Sequence, residues 1–486
     1  TGTNKDKNQS IYLVGDKIYI DADATNLSGN TIYATAFSKG YIQRQMNKFA
    51  KDNYQFGNYD KLITNQGYTD SNNTTTQGKD FKKAITIGNM GSAIENAKEW
   101  WYFAKSWNEA QYFDDIKTID EFRLVGDIDF GADCYTGTCN KDKNYANYWI
   151  DFNGDGEKQE NEYTNMMVGD NYPNSFGANF DGQGYTLKNI NIEVSKELNY
   201  GFAGIFGSAF NGNEFKNINV DYMGGGIKIE SDYIAAVGGF LGGTVQSHTT
   251  FNNITVSNIA FIEAIANGEE GAIAGIGGFL GGAFNNRVTA NNITLNNIGN
   301  IKAESISNES SFLYMGGFAS IVSFDSLFSN IIINGLGSIE AITTNKSPYI
   351  GGFLGTSAKG IYENIYIYFK PDSTIKVTSK NESKKYAGKF IADLFQSSSF
   401  SNIHLYHTNN QFGDLNNIDF IDENVTINGK INSHSPSQFQ TDVENFFKEE
   451  NDKPQIHYNK EGGYYTFLDE TNNGNGGDNG SNGDNG

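Results

Sequence analysis

Between residues 201 and 431 the apolar positions fall in short runs separated by Gly, Asn and Ser. Gly204-Ile205-Phe206-Gly207 returns as Gly239-Phe240-Leu241-Gly242, Gly278-Phe279-Leu280-Gly281, Gly317-Phe318 and Gly352-Phe353-Leu354-Gly355. A degenerate sixth copy is Lys389-Phe390-Ile391-Ala392. The first apolar residues of successive copies are 35, 39, 39, 35 and 37 residues apart. A second marker keeps phase with the first: Asn217-Ile218, Asn253-Ile254, Asn292-Ile293, Asn330-Ile331, Asn364-Ile365 and Asn402-Ile403. A third apolar run follows each pair, at Ile227–Ile229, Ile259–Ile265, Ile301–Ala303, Ile339–Ile342, Ile375–Val377 and Val425–Ile427.

A period of about 38 residues with three strand-like runs, and no helical periodicity, excludes helical solenoids and coiled coils. Propeller blades need four strands with tight hairpin chemistry, and the copies are too irregular in length for that. The pattern predicts an all-β chain folded as a right-handed parallel β-helix, a β-solenoid whose corners absorb the length variation. Inward residues then stack on their copies about 4.8 Å away. Phe240, Phe279, Phe318 and Phe353 should form an internal aromatic ladder, and Ile218, Ile254, Ile293, Ile331, Ile365 and Ile403 an aliphatic one. The repeated glycines suit close backbone approach, and the Asn before each Ile suits a bend, because Asn tolerates the left-handed region.

Upstream the pattern changes. Ala93, Ala97, Trp101, Ala104 and Trp107 approach helical spacing and predict a helix over Ser92–Phe113. Phe122–Phe130 alternates like a strand, and so do Ile11–Ile20 and Gly29–Ala36. The expected organisation is N-terminal rungs and a small helical or loop cap over 1–113, the cap built by residues 40–113. First rungs follow over 114–200, with an insert at 131–175, then six repeats over 201–431. Residues 432–468 should form a cap closing the far end, since an open sheet edge aggregates. Residues 469–486, rich in Gly and Asn, read as a flexible linker.

The order of a helix, Leu124-Val125-Gly126-Asp127-Ile128-Asp129-Phe130, Phe180-Asp181-Gly182-Gln183-Gly184-Tyr185-Thr186-Leu187, then repeated Gly-Gly-Phe-Leu-Gly resembles the GLUG-type β-helix region of bacterial surface proteins. Within that group it is most similar to filamentous-haemagglutinin-like exoproteins and autotransporter passengers. The resemblance spans roughly residues 92–430. It implies a bacterial outer-membrane surface or extracellular location and leaves activity open, because such passengers include adhesins, enzymes and toxins. The insert and the degenerate sixth copy depart from the family pattern.

Composition narrows the partners. The chain has 486 residues, 56 of them Gly, and a net charge of -21 with 36 Lys+Arg against 57 Asp+Glu. The acidity and only three arginines, Arg44, Arg123 and Arg287, argue against nucleic acid. No apolar run reaches the about 18 residues of a membrane-spanning helix. The chain begins Thr-Gly-Thr with no signal-peptide pattern, as a mature or excised segment would.

Asp151-Phe152-Asn153-Gly154-Asp155-Gly156-Glu157 to Glu162 fits the twelve-residue calcium-loop pattern at every fixed position. Oxygens of Asp151, Asn153 and Asp155, the carbonyl of Glu157 and a bidentate Glu162 would wrap one Ca²⁺, with Gly156 at the sharp turn. Tyr148–Ile150 precedes it like a strand, so the loop is expected without flanking helices. Cys134 and Cys139, in the same insert, suit a small disulfide loop and an oxidising compartment. No Ser-His-Asp set or nucleophile elbow can be assembled. Arg287 reads as isolated, and His404 and His407 as surface residues. Asp70–Thr74 and Asp422–Thr426 match an extended bacterial glycosylation sequon, at a frequency chance produces in an Asn-rich chain. The reading is a monomeric adhesin segment, not an enzyme, that binds a host-cell receptor or glycan and carries a structural Ca²⁺ site. The alternative is a secreted polysaccharide-active lyase or hydrolase on the same scaffold.

Overall fold

A computed structural model describes residues 10–22, 31–49, 62–64, 67–170, 174–198, 201–210, 212–232, 234–245, 248–266, 273–284, 286–305, 313–344, 347–379, 385–448 and 453–468. The chain forms a parallel β-solenoid of about eight turns. Its largest sheet stacks successive strands in chain order. These run from Ser10–Asp21 through Thr31–Gln45, Phe81–Ile87, Glu121–Leu124, Asn179–Asp181 and Glu214–Asp221 to His248–Ala266. It continues through Arg287–Ser305, Ser326–Leu336, Gly360–Phe369 and Ser398–Tyr406 to Ile427–His434.

Two further parallel sheets close the turns. One runs from Phe202–Ala203 to Tyr386–Gly388, the other from Phe206–Ala209 to Ile418–Ile421. The Gly-Phe marker sits between these two sheets, where the chain bends, so a turn has the three segments expected where the rest is one long strand, as at His248–Ala266 and Arg287–Ser305, and four where that strand is broken, as at Ser326–Leu336 and Ile339–Thr343. The Asn-Ile marker and the third apolar run both lie in the largest sheet.

The markers stack as the pattern requires. Phe240, Phe279, Phe318, Phe353 and Phe390 form a stacked ladder with centroids 5.3, 5.1, 5.0 and 4.9 Å apart, all fully buried. A second ladder, not anticipated, faces it edge-on: Phe251 meets Phe279, Phe328 meets Phe353, and Tyr362 meets Phe390. Ile218, Ile254, Ile293, Ile331, Ile365 and Ile403 pair in register and are fully buried. A Cβ on Gly278 would collide with the carbonyl oxygen of Gly317 in the next turn, so backbone contact fixes this glycine.

Upstream of the two closing sheets, a helix supplies the opposite wall. It spans Ala93–Glu109, starts at Ser92, whose Oγ accepts from Glu95 N–H, and stops four residues short of the expected end. Trp100 packs edge-on against Phe130, Phe180 and Phe206, and Trp107 packs against Phe122 and Phe176. The largest sheet extends two strands beyond this helix. The helix is the small upstream helical cap that the sequence predicts, and it covers the first rungs from the side, against Phe206 at the start of a closing sheet.

The C-terminal segment differs from expectation. A short helix, Phe439–Phe446, and the hairpin of Ile456–Asn459 and Tyr464–Phe467 lie on the outer face of the largest sheet. They cover Ile332, Tyr366 and Tyr406, which point away from the main core and need burial. Asn296 exchanges two hydrogen bonds with the Tyr465 backbone, each 2.9 Å. The end of the stack is left to Ile418–Ile421 and Ile427–His434. The linker at 469–486 lies outside the described residues.

Candidate functional site

The insert at 131–175 gathers the sequence-predicted site residues. Cys134 and Cys139 are joined in a disulfide around Gly137, which has φ +89°. The loop they close holds Tyr135 out into solvent, 85 % exposed.

The candidate calcium loop is closed at its base by an antiparallel pair, Tyr148–Trp149 with Tyr163–Thr164. No helix precedes it, and only a short 3₁₀ turn, Glu160–Glu162, ends it. Gly154 and Gly156 take φ +76° and +75°. The Asp151 carboxylate accepts from Gly154 N–H at 2.7 Å and Gly156 N–H at 2.9 Å. Asn153 Oδ1 accepts from Asp155 N–H, and Asp155 Oδ1 from Glu157 N–H. Glu162 is buried; it accepts from Phe152 N–H at 3.1 Å and from Trp149 Nε1–H at 3.2 Å. Backbone N–H groups thus orient side-chain oxygens at loop positions 1, 3, 5 and 12, the donor positions such a loop uses. Among the described residues, no group of three or more His, Cys, Asp or Glu is gathered tightly enough to hold a metal ion. Phe152 anchors the loop on the helix through Trp101 and Tyr102.

Tyr135 lines an open cleft of about 400 Å³ with Asp221, Met223, Asn258, Asn297 and Lys370. Asn258 Nδ2–H donates to Asp221 Oδ1 at 2.9 Å, and Asn297 Nδ2–H to Asn258 Oδ1 at 3.0 Å. Both asparagines sit at positive φ on successive corners. Burial pushes the Lys370 ammonium pKa down. The sequence offered no signal for this cleft, because its residues come from five separate stretches that only stacking brings together.

A second cleft, of about 410 Å³, is lined by Glu193, Glu197, Glu230 and Lys228. Lys228 pairs with Glu230 at 2.8 Å, and Glu197 accepts from Ser195 Oγ–H.

Two readings of single residues are corrected. Arg287 is not isolated: its Nη2 lies 3.8 Å from Asp325, which also pairs with Lys359 at 2.8 Å. The three occupy successive turns, 38 and 34 residues apart. His404 is half-buried rather than a plain surface residue, with Nδ1 2.8 Å from His434 Nε2 and its other nitrogen 2.7 Å from Asn402 Oδ1. Burial and then the neighbouring His434 hold its pKa below the usual imidazole value. Both glycosylation sequons fall in exposed turns, each folded around its Asp side chain.

No protein-family model, curated protein or solved structure matches this chain.

Proposed function

We propose that the chain is a binding rod of a bacterial surface or secreted adhesin, and that it recognises a glycan rather than transforming one. The observation that supports this most is the cleft beneath Tyr135. An exposed aromatic ring offers a sugar a face to stack on, and Asp221, Asn258 and Asn297 offer hydroxyl-bonding groups beside it. The disulfide holding that ring in place agrees with an oxidising, extracellular setting. The insert also carries the calcium loop, for which we propose a structural role: a bound Ca²⁺ would fix the loop against Phe152 and the helix. Extracellular sites of this kind bind at Kd values of about 10⁻⁴–10⁻³ M.

The test is a glycan array probed with the whole chain and with Tyr135→Ala. Binding of a defined glycan that drops at least tenfold in the variant supports the reading. No glycan bound at millimolar calcium overturns it.

A second reading, a polysaccharide-active enzyme, draws on the three glutamates beside Lys228. Carboxylates flanking a glycosidic bond are the usual machinery of such enzymes. Release of reducing ends from a polysaccharide panel, abolished in Glu193→Gln or Glu230→Gln, would favour it over the adhesin.

A further inference from the structure

A larger cleft than either lies elsewhere, along the side of the rod. It measures about 590 Å³ and is built from equivalent positions of successive turns. One column runs His248, Arg287, Asp325, Lys359 and Ser397, one residue per turn. Beside it runs an outward-facing column of Thr289, Leu327, Ile361 and Ser399, paired in register. From His248 to Ser397 is four turns, or about 19 Å along the axis at one strand spacing per turn.

The groove carries more cations than carboxylates, in a chain whose net charge is -21. Two cations, Arg287 and Lys359, flank a single carboxylate, and both side chains remain 54 % exposed. Arg287 approaches Asp325 only to 3.8 Å, beyond hydrogen-bond reach, so that carboxylate does not commit its guanidinium fork. His248 is held by Thr289 Oγ1 at 2.8 Å at the same end. Leu327 and the exposed Ile361 give an apolar strip, and Ser399 and Asn428 extend the polar lining.

The fold also says how a ligand would be read. Strands run across the groove and pair with their neighbours along the axis, so their backbone N–H and C=O groups are spent in the ladder. A peptide lying along the axis finds no sheet edge to extend. Recognition falls to side chains: a guanidinium and an ammonium for anions, hydroxyls and an amide for hydroxyls, and an apolar strip for ring faces.

We propose that this groove binds an extended, carboxylate-bearing oligosaccharide along the solenoid axis, with Arg287 and Lys359 taking its carboxylates. The inference rests on the glycan-binding reading but places a different ligand class at a different site from the Tyr135 cleft.

The experiment is calorimetry of the whole chain with oligogalacturonate, a neutral malto-oligosaccharide, a heparin oligosaccharide and poly-glutamate. Wild type is compared with the double variant Arg287→Glu/Lys359→Glu, and with Tyr135→Ala. Both substituted cations are surface groups, and an unchanged circular-dichroism spectrum and Tm establish that the variant is folded. Expected is oligogalacturonate binding that weakens between 50 and 300 mM salt through screening, falls at least tenfold in the double variant, and exceeds binding of the neutral sugar. Undiminished binding in the double variant overturns the groove. If Tyr135→Ala alone abolishes it, the glycan reading stands and the site moves to the other cleft. Tighter heparin binding, lost in the double variant, overturns the carboxylate class in favour of sulfate. Tighter poly-glutamate binding replaces the glycan by an acidic peptide. No binding of any probe by wild type overturns the groove, and the glycan array separately decides the wider reading.

Discussion

Six asparagines at one corner, Asn217, Asn253, Asn292, Asn330, Asn364 and Asn402, take φ between 54° and 58°. That region costs most side chains about 1–2 kcal/mol, and Asn least among those other than Gly. The side chains also form a chain of amides. Asn330 Nδ2–H donates to Asn292 Oδ1 at 3.1 Å, and Asn364 Nδ2–H to Asn330 Oδ1 at 2.9 Å. Asn330→Ala should lose about 2–3 kcal/mol, from backbone strain and the loss of its side-chain links to Asn291, Asn292 and Asn364. Asn330→Gly should lose about half of that, because only the links go. Urea denaturation of the two variants checks the order, and equal losses would show that the φ angle is not the cause. The bend was legible in the sequence, since Asn recurred in phase before each Ile. Its amide ladder was not, because it is a contact between residues more than 30 positions apart.

Asp393 is a second residue-scale case. It is buried in the sheet running to Ile418–Ile421, and its Oδ1 has no hydrogen-bond partner. Burial raises its pKa to about 6. The folded chain therefore holds this proton more tightly than the unfolded chain, whose Asp titrates near about 3.9. The contribution favours folding below about pH 4 and is lost as pH rises through about 6. Asp393→Asn should then raise Tm by roughly 2–4 °C at pH 7.5 and leave it nearly unchanged at pH 4. An equal shift at both pH values would rule out the ionisation as the cause.

At the scale of elements, the insert shows what short-range sequence can and cannot carry. The candidate calcium loop was visible as a motif because its residues lie within twelve positions, and the Cys134–Cys139 loop because its two cysteines are five apart. The Tyr135 cleft and the charged groove were not, because each is assembled from turns about 38 residues apart. Read singly, Arg287 had no neighbours in the chain; stacking supplied Asp325 and Lys359. The loop carries its own reporter, since Trp149 Nε1–H donates to Glu162. Adding millimolar Ca²⁺ should change tryptophan emission and raise Tm by several degrees. Asp151→Ala with Glu162→Gln should abolish both effects. Magnesium should substitute poorly, given its demand for shorter, octahedral ligation. An unchanged response in the double variant would remove the site from the loop.

At the scale of the whole molecule, the division of labour between core and cover makes the last prediction. The ladders of Phe and Ile form one continuous core through the stack. The C-terminal helix and hairpin belong to a separate cluster, with Ile332, Tyr366 and Tyr406 on the outer face. They are tied on by Asn296, by Asn334 Nδ2–H to the Gly463 carbonyl at 2.8 Å, and by Tyr406 O–H to Asp442 at 2.9 Å. Stacked turns depend on their neighbours for stability rather than on a distant lid. Truncation before Ser435 should therefore leave the solenoid folded, with its β-rich circular dichroism intact. It should also expose Ile332, Tyr366 and Tyr406 as an apolar patch on an otherwise strongly acidic rod. Net charge of -21 opposes association at low salt, so the exposed patch should drive dimers or larger species only as salt screens that repulsion. Light scattering from 20 to 500 mM NaCl, with a hydrophobic dye as a second readout, distinguishes the outcomes. A truncated chain that unfolds would mean that the cover is part of the fold's cooperative unit. One that neither binds dye nor associates would mean that the outer face needs no cover.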